Sequence, residues 1–231
     1  MATNIKAPFF EIGPKSYLYG DEILELALAA DAASAKYGVD IIFTCPVVDI
    51  RRVKEATKHI HVFAPHMDPI PVGRGLADIL PESLVAAGAE GVMLNHVEKP
   101  VTFEVLAATI QRANEVGLTT IVCADSMADA SKIATLSPDI IVAEPSELIG
   151  TGVSVGPEYV EAAMKSVKNV NENILVLTAA GISNGTDVYN TIIAGADATG
   201  SSSGVAKAAD RPAMVDEMIA AVRKAWDERH N

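Results

Sequence analysis

Three side chains of types suited to proton transfer each follow a short apolar run: Lys15 after FFEIG, His96 at the end of GVMLNH, and Glu144 at the end of DIIVAE. The last of these raises a question. A run of Ile and Val ends on a carboxylate, a proline follows at once, and a loop then closes on Gly150-Thr151-Gly152. Two later apolar runs end in small-residue turns, AAGISNG (179–185) and GSSSG (200–204). Turns of that composition can present backbone N–H groups to phosphate. A lysine, a histidine and a glutamate converging beside them describe a site for a small phosphorylated sugar.

Convergence requires a scaffold. Apolar runs at 7–13, 39–45, 60–65, 91–96, 119–124, 139–144, 174–180 and 196–201 alternate with alanine-rich amphipathic stretches. The last run, ADATGS, is weak as a strand, and its place in the series recommends it. The stretch at 21–38 opens on acids and closes on Gly38; that at 102–117 opens on a capping threonine and closes on Gly117. Strands that are apolar throughout, separated by helices, indicate a parallel sheet covered on both sides. Eight such units in 231 residues fit a single (β/α)8 TIM barrel, residues 1–231, in which chemistry sits at the C-terminal ends of the strands. A doubly wound open sheet is the runner-up, and it lacks the usual G-x-G-x-x-G after the first strand.

Composition narrows the partners. A formal net charge of −12 argues against nucleic acid and against an anionic membrane surface. Two cysteines, Cys45 and Cys123, are too few for a disulfide framework. No leader pattern opens the sequence, and no apolar run approaches the roughly 18 residues of a membrane span, so a cytoplasmic protein is expected. His59 and His61 flank a strand without metal-ligand partners, and no metal or other cofactor is assigned. Asp49, Arg51 and Arg52 begin a helix and are expected to form a surface ion pair.

Over essentially its whole length the chain resembles the triosephosphate isomerase family, in its short archaeal-type branch. The resemblance rests on AEPSELIGTG (143–152), LNHVEKP (94–100), AAGISNG (179–185) and SSGVAKA (202–208). It implies a cofactor-independent aldose–ketose isomerase of glycolysis. Glu144 would be the base, His96 a neutral hydrogen-bond donor, and Lys15 a positive charge for the enediolate and phosphate. Gly150 in the lid, with Gly181, Ser202, Ser203 and Gly204, would hold the phosphate. The loop after Glu144 would be the lid that excludes water. A homodimer or homotetramer is implied as well, with the mode left open by the altered third loop.

Several positions depart from the family pattern. NIK at 4–6 mimics its N-x-K motif, but the register that follows a strand is FFEIGPK, so Lys15 is the family lysine and Gly13 replaces the substrate-contacting asparagine. Glu11, Gly13 and Lys15 are two apart and share the inward face, so Glu11 can meet Lys15 or substrate; Lys15 can pair with Glu11 or Glu98. Val97 stands where the family has serine, Pro65-His66 where it has Gln-His, and RGLA (74–77) where it has SHTG. His66 and Arg74, in that third loop, can contact substrate, a neighbouring subunit or only solvent.

These changes leave three functions open: a triose phosphate isomerase, an isomerase of a longer ketose phosphate such as a tetrulose phosphate, and a phosphate-binding barrel without turnover. A barrel lyase or synthase would need a Schiff-base lysine or paired metal carboxylates, and neither is found on the later strands.

Overall fold

The sequence's continuous apolar runs become strands with two buried faces. A computed structural model describes residues 4–148, 151 and 154–231. Its strands are β1 (Phe9–Ile12), β2 (Asp40–Thr44), β3 (Ile60–Ala64), β4 (Gly91–Leu94), β5 (Thr119–Ala124), β6 (Ile140–Ala143), β7 (Leu175–Thr178) and β8 (Ala198–Ser201). Neighbours pair in parallel in chain order, and β8 closes on β1. The fold is a single-domain (β/α)8 TIM barrel, as the alternation predicts.

Alternate residues of each strand serve different layers. Phe9, Ile42, Phe63, Ile121, Ile140 and Leu177 pack together inside the barrel, while Phe10, Ile12, Ile41, Phe43, Val62 and Ile141 pack outward against the helices. That is why the strands read as unbroken apolar runs. Glu11 is an exception, a charged residue with its side chain in the barrel interior and only 8% exposed.

The helices are α1 (Asp21–Tyr37), α2 (Ile50–Ala56), α3 (Pro81–Ala87), α4 (Phe103–Val116), α5 (Met127–Ala134), α6 (Pro157–Lys168), α7 (Gly185–Ile193), α8 (Ser203–Ala206) and α9 (Arg211–His230). Side-chain caps set their starts: Thr102 Oγ1 accepts from Val105 N–H, Ser126 Oγ from Asp129 N–H and Asn184 Oδ1 from Asp187 N–H. Gly38 and Gly117 end α1 and α4 in the left-handed conformation expected of them. The single-turn α8 has no periodic signal in the sequence.

β8 explains its own weak propensity. Gly200 lies beside Glu11 on β1, and a Cβ there would stand 2.9 Å from the Glu11 carbonyl oxygen and 3.0 Å from its Cβ. Small residues are required where the barrel closes, and they are poor strand formers. One expectation fails: Arg52 pairs with Asp21 of α1, and Arg51 donates to the Ala86 carbonyl at 2.9 Å, so neither joins Asp49. Asp49 lies in the 3-10 turn before α2, while both arginines reach across to neighbouring elements.

Away from the C-terminal mouth, His61 stands between Asp40, at 3.9 Å, and Glu90, whose carboxylate meets Nδ1 at 2.8 Å. Lys54 also pairs with Glu90, at 2.6 Å. Among the described residues no group of three or more His, Cys, Asp and Glu is arranged to hold a metal ion, and no helix is long and apolar enough to cross a membrane.

Asp40 and Glu90 raise the His61 pKa from 6.5 up to about 9 against the opposing effect of burial. Its contribution to stability is therefore complete below pH 6.5 and lost as pH rises through 9. Denaturant midpoints measured from pH 6.5 to 9.5 should fall in the parent protein and fall less in His61→Gln. Equal slopes would remove His61 as the cause.

Candidate active site

Strand ends and tight turns bring the candidate residues to one mouth. Lys15, His96 and Glu144 line a cavity of about 890 Å³, together with Gly13, Gly181, Ser202, Ser203 and Gly204. Gly150 lies outside the described residues.

Glu144 continues β6, and its N–H donates to the Ala124 carbonyl at 3.1 Å. Its carboxylate accepts no hydrogen bond from the described residues. Burial raises its pKa from 4.5 to about 7; Lys15 opposes the rise, while Asp125 and Glu98 add to it. A carboxyl with that pKa is divided between acid and base at neutral pH, as a general base should be. Pro145 follows, and residues 146–148 form a 3-10 turn in which Leu148 N–H donates to the Pro145 carbonyl at 3.0 Å. Val97 is 37% exposed, and its side chain offers Glu144 no hydroxyl.

His96 is fixed by its own loop. Asn95 adopts φ 57°, a left-handed conformation that asparagine tolerates better than most residues. Its amide donates to the Cys123 carbonyl at 3.0 Å, and its oxygen accepts from Val101 N–H at 3.2 Å. Glu98 N–H donates to His96 Nδ1 at 3.1 Å. With Nδ1 accepting, the neutral ring carries its proton on Nε2, where it can be donated. Burial and the Lys15 charge hold the His96 pKa below its ordinary value, which keeps the ring neutral.

Lys15 also occupies the left-handed region, at φ 48°. Of its two possible partners the structure selects Glu98, at 2.8 Å, and this bond lowers the Glu98 pKa. Glu11 is bonded elsewhere: its Oε1 accepts from Thr44 Oγ1 at 2.5 Å. Nothing in the sequence marks Thr44 as part of the site, because a threonine at the end of an apolar strand reads as packing. Lys207 is equally unmarked, and it lines the mouth with its ammonium 4.8 Å from the Tyr17 ring centroid. Lys15, Lys99 and Lys207 all line the cavity and bring positive charge to it on an acidic protein.

The two small-residue loops are joined. Ser201 Oγ donates to the Ile182 carbonyl at 2.8 Å, and a Cβ at Gly204 would stand 2.5 Å from that same oxygen. Gly181 has φ 65°. Asp187 accepts from Ser183 N–H at 3.0 Å and from its hydroxyl at 2.8 Å, which braces the seventh loop on α7. Ser202 Oγ is buried without a hydrogen-bond partner among the described residues, and Ser202 lines the cavity. A buried hydroxyl of this kind calls for a ligand or water. His66, from the third loop, reaches the cavity and sits 3.3 Å from Asp68; Arg74 is exposed in the same loop and does not line it.

The sequence profile of the triosephosphate isomerase family matches residues 14–222. Among curated proteins, the triosephosphate isomerase of Sulfolobus acidocaldarius is 34% identical over 229 residues, covering 97% of this chain and 99% of that protein. The triosephosphate isomerase of Sulfurisphaera tokodaii is 35% identical over 230 residues, with 97% and 100% covered. That of Methanocaldococcus jannaschii is 37% identical over 203 residues, with 87% and 92% covered.

The electrostatics predict a visible titration. Carbon-13 NMR of carboxyl-labelled protein should show Glu144 titrating near pH 7, and Lys15→Met should move that midpoint upward by removing the charge that holds it down. An unchanged or lower midpoint would show that Lys15 does not act on Glu144.

Proposed function

The chain belongs to the triosephosphate isomerase family, and we propose that it interconverts dihydroxyacetone phosphate and glyceraldehyde 3-phosphate by proton transfer between adjacent carbons. The observation that carries the reading is the meeting of three features in one cavity. They are a largely buried carboxylate with a pKa near 7, a neutral histidine whose Nε2–H has no partner among the described residues, and a glycine–serine cradle.

The steps follow from the residues' chemistry. The Glu144 carboxylate takes a proton from C1, and the electron pair of that C–H bond becomes the C1–C2 double bond of an enediolate. His96 Nε2–H donates to the developing oxyanion. A neutral imidazole is well matched to that oxygen, a device already established for triosephosphate isomerase. The Lys15 ammonium offsets the negative charge, the O1 hydroxyl proton passes to O2 by way of His96, and Glu144 returns its proton to C2. No outside oxidant or reductant is consumed. The backbone around Gly181, Ser202, Ser203 and Gly204 holds the phosphate, the Ser202 hydroxyl gains the partner it lacks, and the lid keeps water from the enediolate. No step calls for a metal or organic cofactor. We take the enzyme to work in the cytoplasm as a homodimer or homotetramer, with the exposed Val72 and Leu76 of the third loop available to such a contact.

A coupled isomerase assay under metal chelation tests the reading. Glu144→Gln should lower kcat by at least about 10³-fold and His96→Gln by about 10²-fold or more, with KM changed far less. Since Glu144 must be ionised, kcat/KM should rise with pH through about 7. Binding without turnover in the parent protein would leave only a phosphate-binding barrel.

A further inference from the structure

Among the polar groups of the cavity that the mechanism above leaves unused, Glu11 is the buried carboxylate. Glu11 projects into the barrel interior from β1 and lines the cavity below the reacting residues. The space around its carboxylate is made by glycines. A Cβ at Gly13 would stand 3.0 Å from Glu11 Oε1, and one at Gly200 would stand 3.2 Å from Oε2. Any side chain at residue 13 would crowd the carboxylate and occupy the volume above it. Gly13 and Glu11 are therefore a matched pair: the first leaves open the slot whose floor the second forms.

Other inward strand positions at this depth hold apolar or small groups, among them Met93, Cys123, Val142 and Leu177. A carboxyl among them is costly unless it is hydrogen-bonded. Among the described residues Glu11 has one side-chain hydrogen bond, from Thr44 to Oε1. Burial raises its pKa to about 7, Thr44 and Lys15 oppose the rise, and Glu144 adds to it. Near neutral pH such a carboxyl both donates and accepts hydrogen bonds, which suits an alcohol. The same end of the cavity carries Asp68 and Asp78, so a second anionic group would be repelled there.

Position along a substrate follows from the strand order. The cradle belongs to β7 and β8, and the reacting residues follow β1, β4 and β6. The Thr44–Glu11 pair lies on β2 and β1, where the cavity continues beneath the third loop. With phosphate in the cradle and the reacting carbons between Glu144 and His96, the slot faces the unphosphorylated end. We propose that Glu11 and Thr44, in the slot left open by Gly13 and Gly200, form a hydroxyl-binding subsite that admits a fourth carbon. The substrate class then extends to tetrulose phosphates carrying an additional hydroxymethyl group. In such a substrate the same proton transfer runs from the carbinol carbon to the carbonyl carbon beside the phosphate-bearing one, and it exchanges one ketotetrose phosphate for its isomer.

This inference rests on the isomerase reading, and the test separates the two. Values of kcat/KM are measured for dihydroxyacetone phosphate and for both enantiomers of erythrulose 1-phosphate, in the parent protein, Glu11→Gln, Glu11→Leu and Gly13→Asn. One enantiomer should be isomerised by the parent. Its kcat/KM relative to the triose should fall at least about tenfold in Glu11→Leu and Gly13→Asn, and less in Glu11→Gln, which keeps hydrogen-bonding capacity. Circular dichroism and thermal melts confirm that each variant is folded. Triose turnover without tetrulose turnover would overturn the subsite while leaving the isomerase intact. So would tetrulose turnover whose ratio to triose is the same in every folded variant. Silence on all three substrates would remove the isomerase reading itself.

Discussion

The site depends on keeping a carboxylate ionisable after most of its water has been taken away. Glu144 stands at the end of an apolar strand, and desolvation there favours its protonated form. Lys15 opposes that effect from across the mouth, and the result lies near 7. Lys15 lowers the pKa of His96 as well, so one ammonium favours an ionised base and a neutral donor together. Its place is fixed by the bond to Glu98, which also supplies the N–H that sets the His96 tautomer. The two loops are thus coupled through two residues, and a change at either would be felt by both proton-handling groups.

Barrel closure makes this coupling possible. Lys15, His96 and Glu144 come from strands one, four and six, and only a sheet curled on itself points all three toward a common axis. Closure in turn depends on β8, whose small residues let the Glu11 backbone pass close by. The same smallness furnishes Ser201 and Gly204, through which the eighth loop is held to the seventh. A structural requirement and a binding surface therefore share one short stretch, 200–204.

Much of this was legible in the sequence. The strand–helix alternation gave the barrel because every strand is buried on both faces, and the strand-end rule then drew attention to Lys15, His96 and Glu144. Other features were hidden for identifiable reasons. α8 is a single turn, too short to show a period. Both Glu11 and Glu98 were within reach of Lys15, and the choice between them depends on the left-handed backbone at Lys15 and the Asn95-anchored turn. Thr44 is recognisable as part of the site only when Glu11 is seen to reach across from the neighbouring strand. Arg52 pairs with Asp21, 31 residues away in sequence, which no local pattern announces.

The central claim is that Glu144 carries a proton between neighbouring carbons through an enediolate, and isotope exchange with solvent reads that transfer directly. Dihydroxyacetone phosphate would be incubated with the enzyme in deuterium oxide and followed by proton NMR. Deuterium should appear at C1 of recovered substrate and at C2 of the aldehyde, and both signals should vanish in Glu144→Gln. Formation of aldehyde with its hydrogen fully retained would contradict the account, because the hydrogen would then have crossed without residing on an exchangeable carboxyl.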